Sequence, residues 1–385
     1  LGDYDYRLFE VSPSDLGSFL KDEEFHGLNV TIPYKKSVIP YLAYLSPEAE
    51  RIGSVNTIIR EDDGLYGYNT DYLGFLYAAE KAGISFWNKK VLILGSGGAS
   101  LAVKKAVEDS VAKEVLEVSR TDALNYSNIY EHFDAEVIIN ATPVGMYPEC
   151  GGPLVDLKRF PKCRAVMDLI YNPLKTHLIL DAEALGMKCA GGLRMLVCQA
   201  KYSSDLFLDT ERDNSICDNI YTDLLNAVCN IVLVGMPGSG KTTVGRLLAK
   251  RLESQFIDID FEVEKIAGMS IPDIFSTQGE NGFRKIESSV IKSVGKCSGT
   301  VIATGGGAVL SSENCAALCQ NGFVVFVKRS LDALDRKGRP LSCGNLDTIY
   351  KERLPFYEKV CDIEVENSFT PEKCVDIILE RIGLA

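Results

Sequence analysis

The sequence lacks any long hydrophobic run: none approaches the ~18 consecutive apolar residues expected of a membrane-spanning helix. It also lacks a block of lysine and arginine, and its formal net charge is −12, so a surface that follows nucleic-acid phosphates is not expected. Internal repeats and low-complexity linkers are missing as well. These absences argue against membrane and nucleic-acid partners and favour pockets for small molecules.

Paired cysteines are missing too. The twelve cysteines contain no C-x-x-C spacing, and Cys315 and Cys319, four residues apart, have no histidine close in sequence. Structural zinc sites need such groupings, so we expect reduced thiols in the core of a cytoplasmic protein. The 385 residues, 46% hydrophobic and 24% charged, are typical of a soluble globular chain with two or three domains. The sequence gives no indication of oligomeric state.

Apolar strands alternate with helical stretches in two parts of the chain. The first runs from Lys90 to Ala190 and the second begins at Asn230 with "NIVLVG". Such alternation predicts α/β units with parallel sheets and right-handed crossovers. Residues 1–70 instead mix helical stretches with short strands, "YRLFEV" and "GLNVTIP" among them.

Helices are predicted on either side of the first α/β stretch. "TDYLGFLYAAEKAG" has Thr70 or Asp71 as N-cap and Gly83 as its stop signal. Two further helices, about 194–208 and 214–228, precede the second unit. The junction near 228–230 contains no glycine or proline, so we expect a tight connection led by a helix.

The segment "GMPGSGKT", from Gly235 to Thr242, matches G-x-x-x-x-G-K-[ST] between a strand and a helix. Backbone N–H groups in such a turn, and the helix N-terminus behind it, bind phosphate. Lys241 would reach the β- and γ-phosphates and Thr242 the Mg²⁺ ion. The sequence therefore predicts an ATP-binding loop with contacts from Gly238, Ser239, Gly240, Lys241, Thr242 and Thr243.

Other polar groups follow the strands of this second unit. In "FIDIDFEVE", Asp258 and Asp260 occupy alternate positions at a predicted strand end, where both would face the same way. "GFRKIE" places Arg284 at a predicted helix start, and "ATGGGAV" puts three glycines directly after a strand. Taken singly, these features are also typical of a helix cap, a turn or a surface charge.

Together with Arg339 in "GRPLS" and Arg353 in "YKERLPFYEKV", these segments resemble shikimate kinase over residues 230–385. The resemblance implies a five-stranded parallel sheet, a mobile lid, and Asp258 beside Mg²⁺. It implies that Asp260 orients the attacking hydroxyl of shikimate, and that Arg339 meets the transferring phosphate while Arg336 flanks adenine. Shikimate would be bound by Asp260, Arg284, Gly306, Gly307 and Arg353. Arginine suits the acceptor's carboxylate through its bidentate fork.

The earlier turn, "LGSGGAS", resembles a dinucleotide-binding turn less completely, because Ser100 stands where the third glycine is usual. Arg120, after the next strand, would suit the 2′-phosphate of NADP, whereas NAD favours an acidic residue there. Asp122 lies close by and weakens the distinction. Glu117 falls inside the strand and should not compete.

The flanking segments "GLNVTIPYK", "GSVNTI", "GYNTDYLGF", "INATPVGM", "DLIYNPLKTHL" and "GGLRMLVCQA" resemble shikimate dehydrogenase. The resemblance implies that Lys35 and Asp71 are the catalytic pair, and that Lys35 exchanges a proton with the ring oxygen during hydride transfer. The ring hydroxyls would be held by Asn29, Thr31, Asn56, Tyr171 and Gln199, and Lys35 and Asp71 would also bind the substrate. NADP(H) contacts would come from Gly95, Gly97, Gly98, Ala99, Ser119, Arg120, Thr121 and Gly192.

We therefore expect a two-lobed α/β dehydrogenase unit followed by a P-loop kinase. The predicted domains are a substrate-binding domain (1–75), a Rossmann NADP domain (76–192), helices that return to the substrate domain (193–228) and the kinase (229–385). NADPH-dependent reduction of 3-dehydroshikimate would precede phosphorylation of shikimate by ATP and Mg²⁺. The alternatives are a kinase joined to an inactive scaffold, a quinate dehydrogenase that uses NAD, and a nucleotide-sensing P-loop switch.

The resemblance also suggests that "YDYRLFEV" corresponds to the family's second strand. The first strand, the first helix and a Ser-x-Ser turn that binds the shikimate carboxylate would then precede it. We therefore expect a fragment with unpaired strand edges and open apolar surface. Its reduction of dehydroshikimate would be poor, and its kinase half would be folded and active.

Overall fold

The computed structural model describes residues 4–334, 346–368 and 370–383. The chain divides into two compact units, Leu1–Thr222 and Asp223–Ala385. Among the described helices, none combines the length and the hydrophobicity needed to cross a bilayer.

The first unit begins with a small mixed sheet. Its strands are β1 (Gly27–Asn29), β2 (Tyr44–Leu45), β3 (Thr57–Glu61) and β4 (Gly64–Tyr68), in the order β1-β3-β4-β2. Strand β3 is antiparallel to both β1 and β4, and β2 runs parallel to β4. The flanking helices are α1 (Leu16–Asp22), α2 (Pro47–Ile52) and α3 (Asp71–Lys81). Ile58 and Val55, both buried, anchor this sheet to α1 and α2.

A five-stranded parallel sheet follows in the same unit, as predicted. Its strands are β5 (Lys90–Leu94), β6 (Glu114–Val118), β7 (Val137–Asn140), β8 (Ala165–Asp168) and β9 (Lys188–Ala190), in the order β6-β5-β7-β8-β9. The helices are α4 (Gly98–Asp109), α5 (His177–Ala184), α6 (Leu193–Phe207) and α7 (Ser215–Val228). Val91 and Ile93 of β5 pack with α3 and α4, and Leu92 and Leu94 pack on the opposite face with α5. Helices therefore cover both faces, which explains the continuous apolar run.

The second unit also contains a five-stranded parallel sheet. Its strands are β10 (Asn230–Val234), β11 (Gln255–Asp258), β12 (Thr300–Ala303), β13 (Gly322–Lys328) and β14 (Ile363–Glu366), in the order β11-β12-β10-β13-β14. The helices are α8 (Lys241–Arg251), α9 (Ile259–Ala267), α10 (Ile271–Val294), α11 (Ser312–Gln320), α12 (Leu346–Val360) and α13 (Pro371–Ile382). Strand β10 is central, so the loop that follows it opens in the middle of the sheet's carboxyl edge.

The predicted strand "YRLFEV" is wrong. Residues 4–11 form no strand, because no strand of the described residues pairs with them through backbone hydrogen bonds. Leu8 is 92% exposed, and Ile32, just beyond β1, is 80% exposed. Alternating apolar residues indicate a strand only where a partner strand is available.

Two local predictions on helix ends agree with the structure. Thr70 is the N-cap of α3, and Gly83 follows its end with a φ of 62°. Helix α7 ends at Val228 and β10 begins at Asn230, so a helix does lead almost directly into the sheet of the second unit.

Candidate active sites

Lys35 and Asp71 form a nearly buried ion pair in the first unit. The Nζ atom of Lys35 donates to Oδ2 of Asp71 over 2.6 Å, and the two side chains are 14% and 8% exposed. Asp71 is the first residue of α3, where the helix dipole favours a carboxylate. An ammonium and a carboxylate held together in this way can exchange a proton with a bound oxygen.

A network of buried polar groups fixes this pair. The amide of Asn56 donates to Oδ1 of Asp71 over 3.0 Å and to the hydroxyl of Thr70 over 2.9 Å, and its carbonyl accepts the backbone N–H of Thr70. The hydroxyl of Thr70 also lies 3.5 Å from Oε1 of Gln199 on α6. The structure therefore brings four of the predicted substrate-binding residues together: Lys35, Asn56, Asp71 and Gln199.

Sequence reasoning missed three hydroxyls of this network. Those of Thr57 and Ser203 lie 2.8 Å apart, and that of Thr70 lies 3.0 Å from Ser203. Because they are buried and bonded to one another, they hold Asn56 in place rather than facing solvent. The "NT" dipeptides at 56–57 and 69–70 were the available signal.

The remaining predicted substrate ligands are less closely joined to the pair. Asn29 lies at the end of β1, where its Oδ1 accepts from the hydroxyl of Tyr6 over 3.0 Å. Thr31 is exposed and Tyr171 is 47% exposed, and in the described part of the chain no hydrogen bond joins either side chain to the network.

The glycine turn after β5 approaches this pair directly. Ser54 donates to the carbonyl of Gly98 over 3.4 Å, and a Cβ placed on Gly98 would lie 3.3 Å from Cβ of Lys35. Gly95 has a φ of 108°, and Gly97 caps α4 without any side-chain hydrogen bond. The first N–H groups of α4 are thus left for a ligand, which fits a pyrophosphate. Ala99 lies in the same first turn.

Arg120 is exposed and follows β6, the strand that pairs with β5. Glu117, which was not expected to compete, is paired with Lys104 at 2.6 Å, and no ion pair joins Arg120 to Asp122 among the described residues. The hydroxyl of Ser119 accepts the backbone N–H groups of Thr121 and Asp122 over 3.3 and 3.1 Å, which shapes the loop that carries Arg120. The guanidinium therefore suits a 2′-phosphate.

Gly192 ties the cofactor side to the substrate side. It is the N-cap of α6, and its N–H donates to the carbonyl of Ile170 over 2.8 Å. A Cβ at this position would overlap the carbonyl oxygen of Leu169. Because α6 also carries Gln199, the position of Gly192 fixes where this helix begins and so helps to place Gln199.

In the second unit the loop after β10 forms a phosphate cradle. Gly235, Gly238 and Gly240 have φ values of 143°, 85° and 95°, which residues with side chains rarely adopt. Nζ of Lys241 donates to the carbonyls of Gly235 and Met236, each over 2.9 Å. The buried hydroxyl of Ser239 finds no hydrogen-bond partner within the described residues. An orphaned hydroxyl and an uncapped helix N-terminus fit the phosphates of ATP.

The metal-binding prediction involves Thr242 and Asp258, whose side chains meet at 2.8 Å between Oγ1 and Oδ2. The expectation that Asp258 and Asp260 share one strand is wrong, because β11 ends at Asp258 and Asp260 lies in α9. The reason is capping: Oδ1 of Asp258 accepts the N–H of Asp260 over 3.1 Å and turns the chain into a helix. Both carboxylates still line one cavity of about 410 Å³.

The opposite wall of this cavity is formed by Arg284 and the glycines after β12. Arg284 lies within α10, beyond a non-helical break at Gly279, and donates to Oε2 of Glu287 over 2.7 Å. A Cβ on Gly305 would lie 2.8 Å from Oδ1 of Asp260, and one on Gly307 would overlap the Arg284 guanidinium. The loop therefore adopts a path that only glycines allow.

Glu287 is a residue that sequence reasoning missed. It is 1% exposed, its Oε1 has no partner within the described residues, and burial raises the pKa of its carboxyl even though Arg284 opposes the change. The sequence could have indicated Glu287, because an acidic residue three positions after Arg284 on a helix lies close enough to pair with it. Its free oxygen lies beside Gly305, so it borders the acceptor pocket.

Arg353 lies on α12 and lines the same cavity. One turn further, the buried hydroxyl of Tyr357 donates to the carbonyl of Gly306, and burial raises the pKa of this tyrosine to about 12. Arg336 and Arg339, predicted for the adenine and for the transferring phosphate, lie outside the described residues.

Comparisons with protein families match both units. The family model "Shikimate dehydrogenase substrate binding domain" matches residues 2–58, and the model "Shikimate kinase" matches residues 237–383.

Curated relatives of the first unit are annotated NADP⁺-dependent shikimate dehydrogenases. The one from Clostridium perfringens strain SM101 is 36% identical over 235 residues, which span 57% of this chain and 87% of the relative. The one from Thermococcus kodakarensis is 40% identical over 230 residues, which span 55% and 82%.

Two solved structures are also similar to this chain. The chorismate mutase/shikimate 5-dehydrogenase fusion protein from Clostridium acetobutylicum is 38% identical with a TM-score of 0.54, covering 57% of this chain and 85% of that one. Shikimate dehydrogenase 1 from Peptoclostridium difficile is 40% identical with a TM-score of 0.52, covering 56% and 84%.

Proposed function

The chain belongs to the shikimate dehydrogenase family and joins to it a shikimate kinase domain, and we propose that it catalyses two successive reactions. The first unit reduces 3-dehydroshikimate to shikimate with NADPH and a proton. The second transfers the γ-phosphoryl group of ATP to the 3-hydroxyl of shikimate, giving shikimate 3-phosphate and ADP. The hydroxyl that the kinase needs is the one that reduction creates, so the order of the reactions is fixed.

In the dehydrogenase reaction, Lys35 gives a proton to the carbonyl oxygen at C3. The observation that carries this proposal is the 2.6 Å pair of Lys35 and Asp71, held by Asn56 beside the Gly98 turn. Bound NADPH supplies the hydride. Asp71 keeps the lysine charged and aimed at the substrate, while Asn56 and Gln199 bind the ring hydroxyls. Arg120 selects NADPH through the 2′-phosphate.

In the kinase reaction, Asp260 orients the 3-hydroxyl and accepts its proton, while Arg284 and Arg353 bind the carboxylate of shikimate. The supporting observation is one cavity lined by the P-loop, by both aspartates and by both arginines. ATP supplies the phosphoryl group, and Thr242 and Asp258 would hold the Mg²⁺ ion that accompanies it. Lys241 stabilises the negative charge that moves with the transferring group.

A coupled assay on the full chain tests both steps. With 3-dehydroshikimate, NADPH, ATP and Mg²⁺ present, NADPH oxidation and ADP formation should both appear. Omitting NADPH should abolish ADP formation from 3-dehydroshikimate, whereas added shikimate should restore it without any NADPH. ADP formation that needs neither NADPH nor shikimate would contradict the proposed order.

A further inference from the structure

We propose that Arg329 is a further nucleotide-binding residue of the second unit, and that its guanidinium donates to the phosphate chain of ATP or ADP. Arg329 directly follows β13, is half-buried and lines the same cavity as Lys241 and Thr242. The sequence pattern did not single it out, because "FVVFVKRS" reads only as a strand followed by two basic residues.

The guanidinium of Arg329 is uncommitted. Within residues 4–334, 346–368 and 370–383, no hydrogen bond or ion pair involves its side chain, although Lys328 next to it is paired with Glu364 at 3.0 Å. Arg284 in the same cavity is shared between Glu287 and Glu280. A half-buried guanidinium with five donors and no acceptor in a cavity is suited to an anionic ligand.

The charges that line the cavity strengthen this inference. Its acidic side chains are Asp258, Asp260, Glu264 and Glu287, and its basic side chains are Lys241, Arg284, Arg329 and Arg353. The two sets balance, yet the ligands are an anionic phosphate chain and a carboxylate. An arginine that no carboxylate of the described residues neutralises therefore contributes more attraction for an anion than one already paired.

The sheet order indicates which ligand Arg329 meets. Most acceptor-side residues, namely Asp260, Arg284, Gly306 and Gly307, follow β11 or β12 on one side of β10, whereas Arg329 directly follows β13 on the other side; Arg353 comes later, from α12. There the P-loop packs tightly against the end of β13, since a Cβ on Gly235 would lie 2.5 Å from the carbonyl oxygen of Val327. Two residues beyond that contact, Arg329 flanks the P-loop on the β13 side, across β10 from Asp260, Arg284 and the glycines after β12. Its partner is therefore the nucleotide.

The test is ADP affinity, measured by calorimetry on the full chain without shikimate. Arg329→Gln should weaken ADP binding about tenfold, the scale of one lost charge-assisted contact. The ADP affinity of Arg329→Lys should lie between those of the wild type and Arg329→Gln, because lysine keeps the charge but lacks the bidentate guanidinium. Arg251→Gln, which removes an equal charge from an exposed ion pair with Asp376, is the control and should bind ADP normally.

Steady-state kinetics separate the two ligands. The KM for ATP should rise in Arg329→Gln while the KM for shikimate stays unchanged. Unaltered ADP affinity, or a loss confined to the KM for shikimate, would overturn the inference. Should Arg329→Gln prove unstable in a thermal melt, Arg329→Lys carries the same test.

The inference rests on the proposed function only in that the cavity binds a nucleotide. A wild-type chain that binds ADP in an Arg329-dependent way without phosphorylating shikimate would disprove the proposed reaction and leave this inference standing. A wild-type chain that does not bind ADP would disprove both.

Discussion

At the scale of single residues, Lys35 is the proposed proton donor for reduction. Lys35→Ala should lower the rate of NADPH oxidation by about 10²–10⁴-fold, the range for loss of a general acid. Lys36→Ala is the matched control, since Lys36 is exposed beside it. ADP formation from added shikimate should be unchanged in both variants. Equal losses in the two would show that charge near this loop, rather than proton transfer, is responsible.

Arg120 is the residue on which cofactor choice should depend. Arg120→Ala removes the cation proposed to meet the 2′-phosphate, so the KM for NADPH should rise about tenfold. NADH has no 2′-phosphate, so its kinetics serve as the internal control and should hardly change. Similar losses with both cofactors would mean that Arg120 supports the loop itself.

At the scale of elements, the sequence predicted the parallel strands well because their apolar runs are buried on both faces. The strand from Lys90 and the strand from Asn230 begin where the patterns placed them. Helix capping and strand pairing were harder to predict. The Asp258 side chain starts a helix that the alternating pattern had extended as a strand. "YRLFEV" was expected to pair, and pairing depends on a partner that local sequence cannot show.

Site residues were predictable where a motif fixes the backbone, as in the P-loop. They were less so where tertiary contacts decide. The partners of Asn56 come from α3 and, through Thr57, from Ser203 on α6, nearly 150 residues away in sequence. Glu287 and Arg329 were missed because each is ordinary in sequence and gains meaning only from burial or from the cavity that it lines.

The glycine loop after β12 offers a test at this scale. In Gly307→Ala the new methyl group would displace the Arg284 guanidinium from its place beside Glu287. The KM for shikimate should therefore rise, while the affinity for ADP should not change. Gly152→Ala in the first unit is the control, because a Cβ at Gly152 would meet no described atom within 4 Å. Comparable increases in KM for both variants would argue against a specific role for the loop.

At the scale of the whole molecule, the two sites lie in separate units and should fail separately. Lys241→Ala should lower phosphorylation by roughly a thousandfold or more and leave reduction intact.

A mixture of the Lys241→Ala and Lys35→Ala variants should convert 3-dehydroshikimate to shikimate 3-phosphate, because shikimate released by one chain can be used by the other. Failure of the mixture while each variant keeps its remaining activity would indicate that product does not leave the chain that makes it.

The boundary between the units falls inside α7, since the first ends at Thr222 and the second begins at Asp223 of one continuous helix, Ser215–Val228. Proteases cleave a backbone that can be drawn out into an extended form, and a hydrogen-bonded helix resists this. Mild digestion should therefore leave the bond between Thr222 and Asp223 uncut under conditions where exposed irregular segments are cleaved. N-terminal sequencing of the fragments would locate the cuts. The two compact units are therefore joined through a helix and not through an irregular linker that a protease could readily cut.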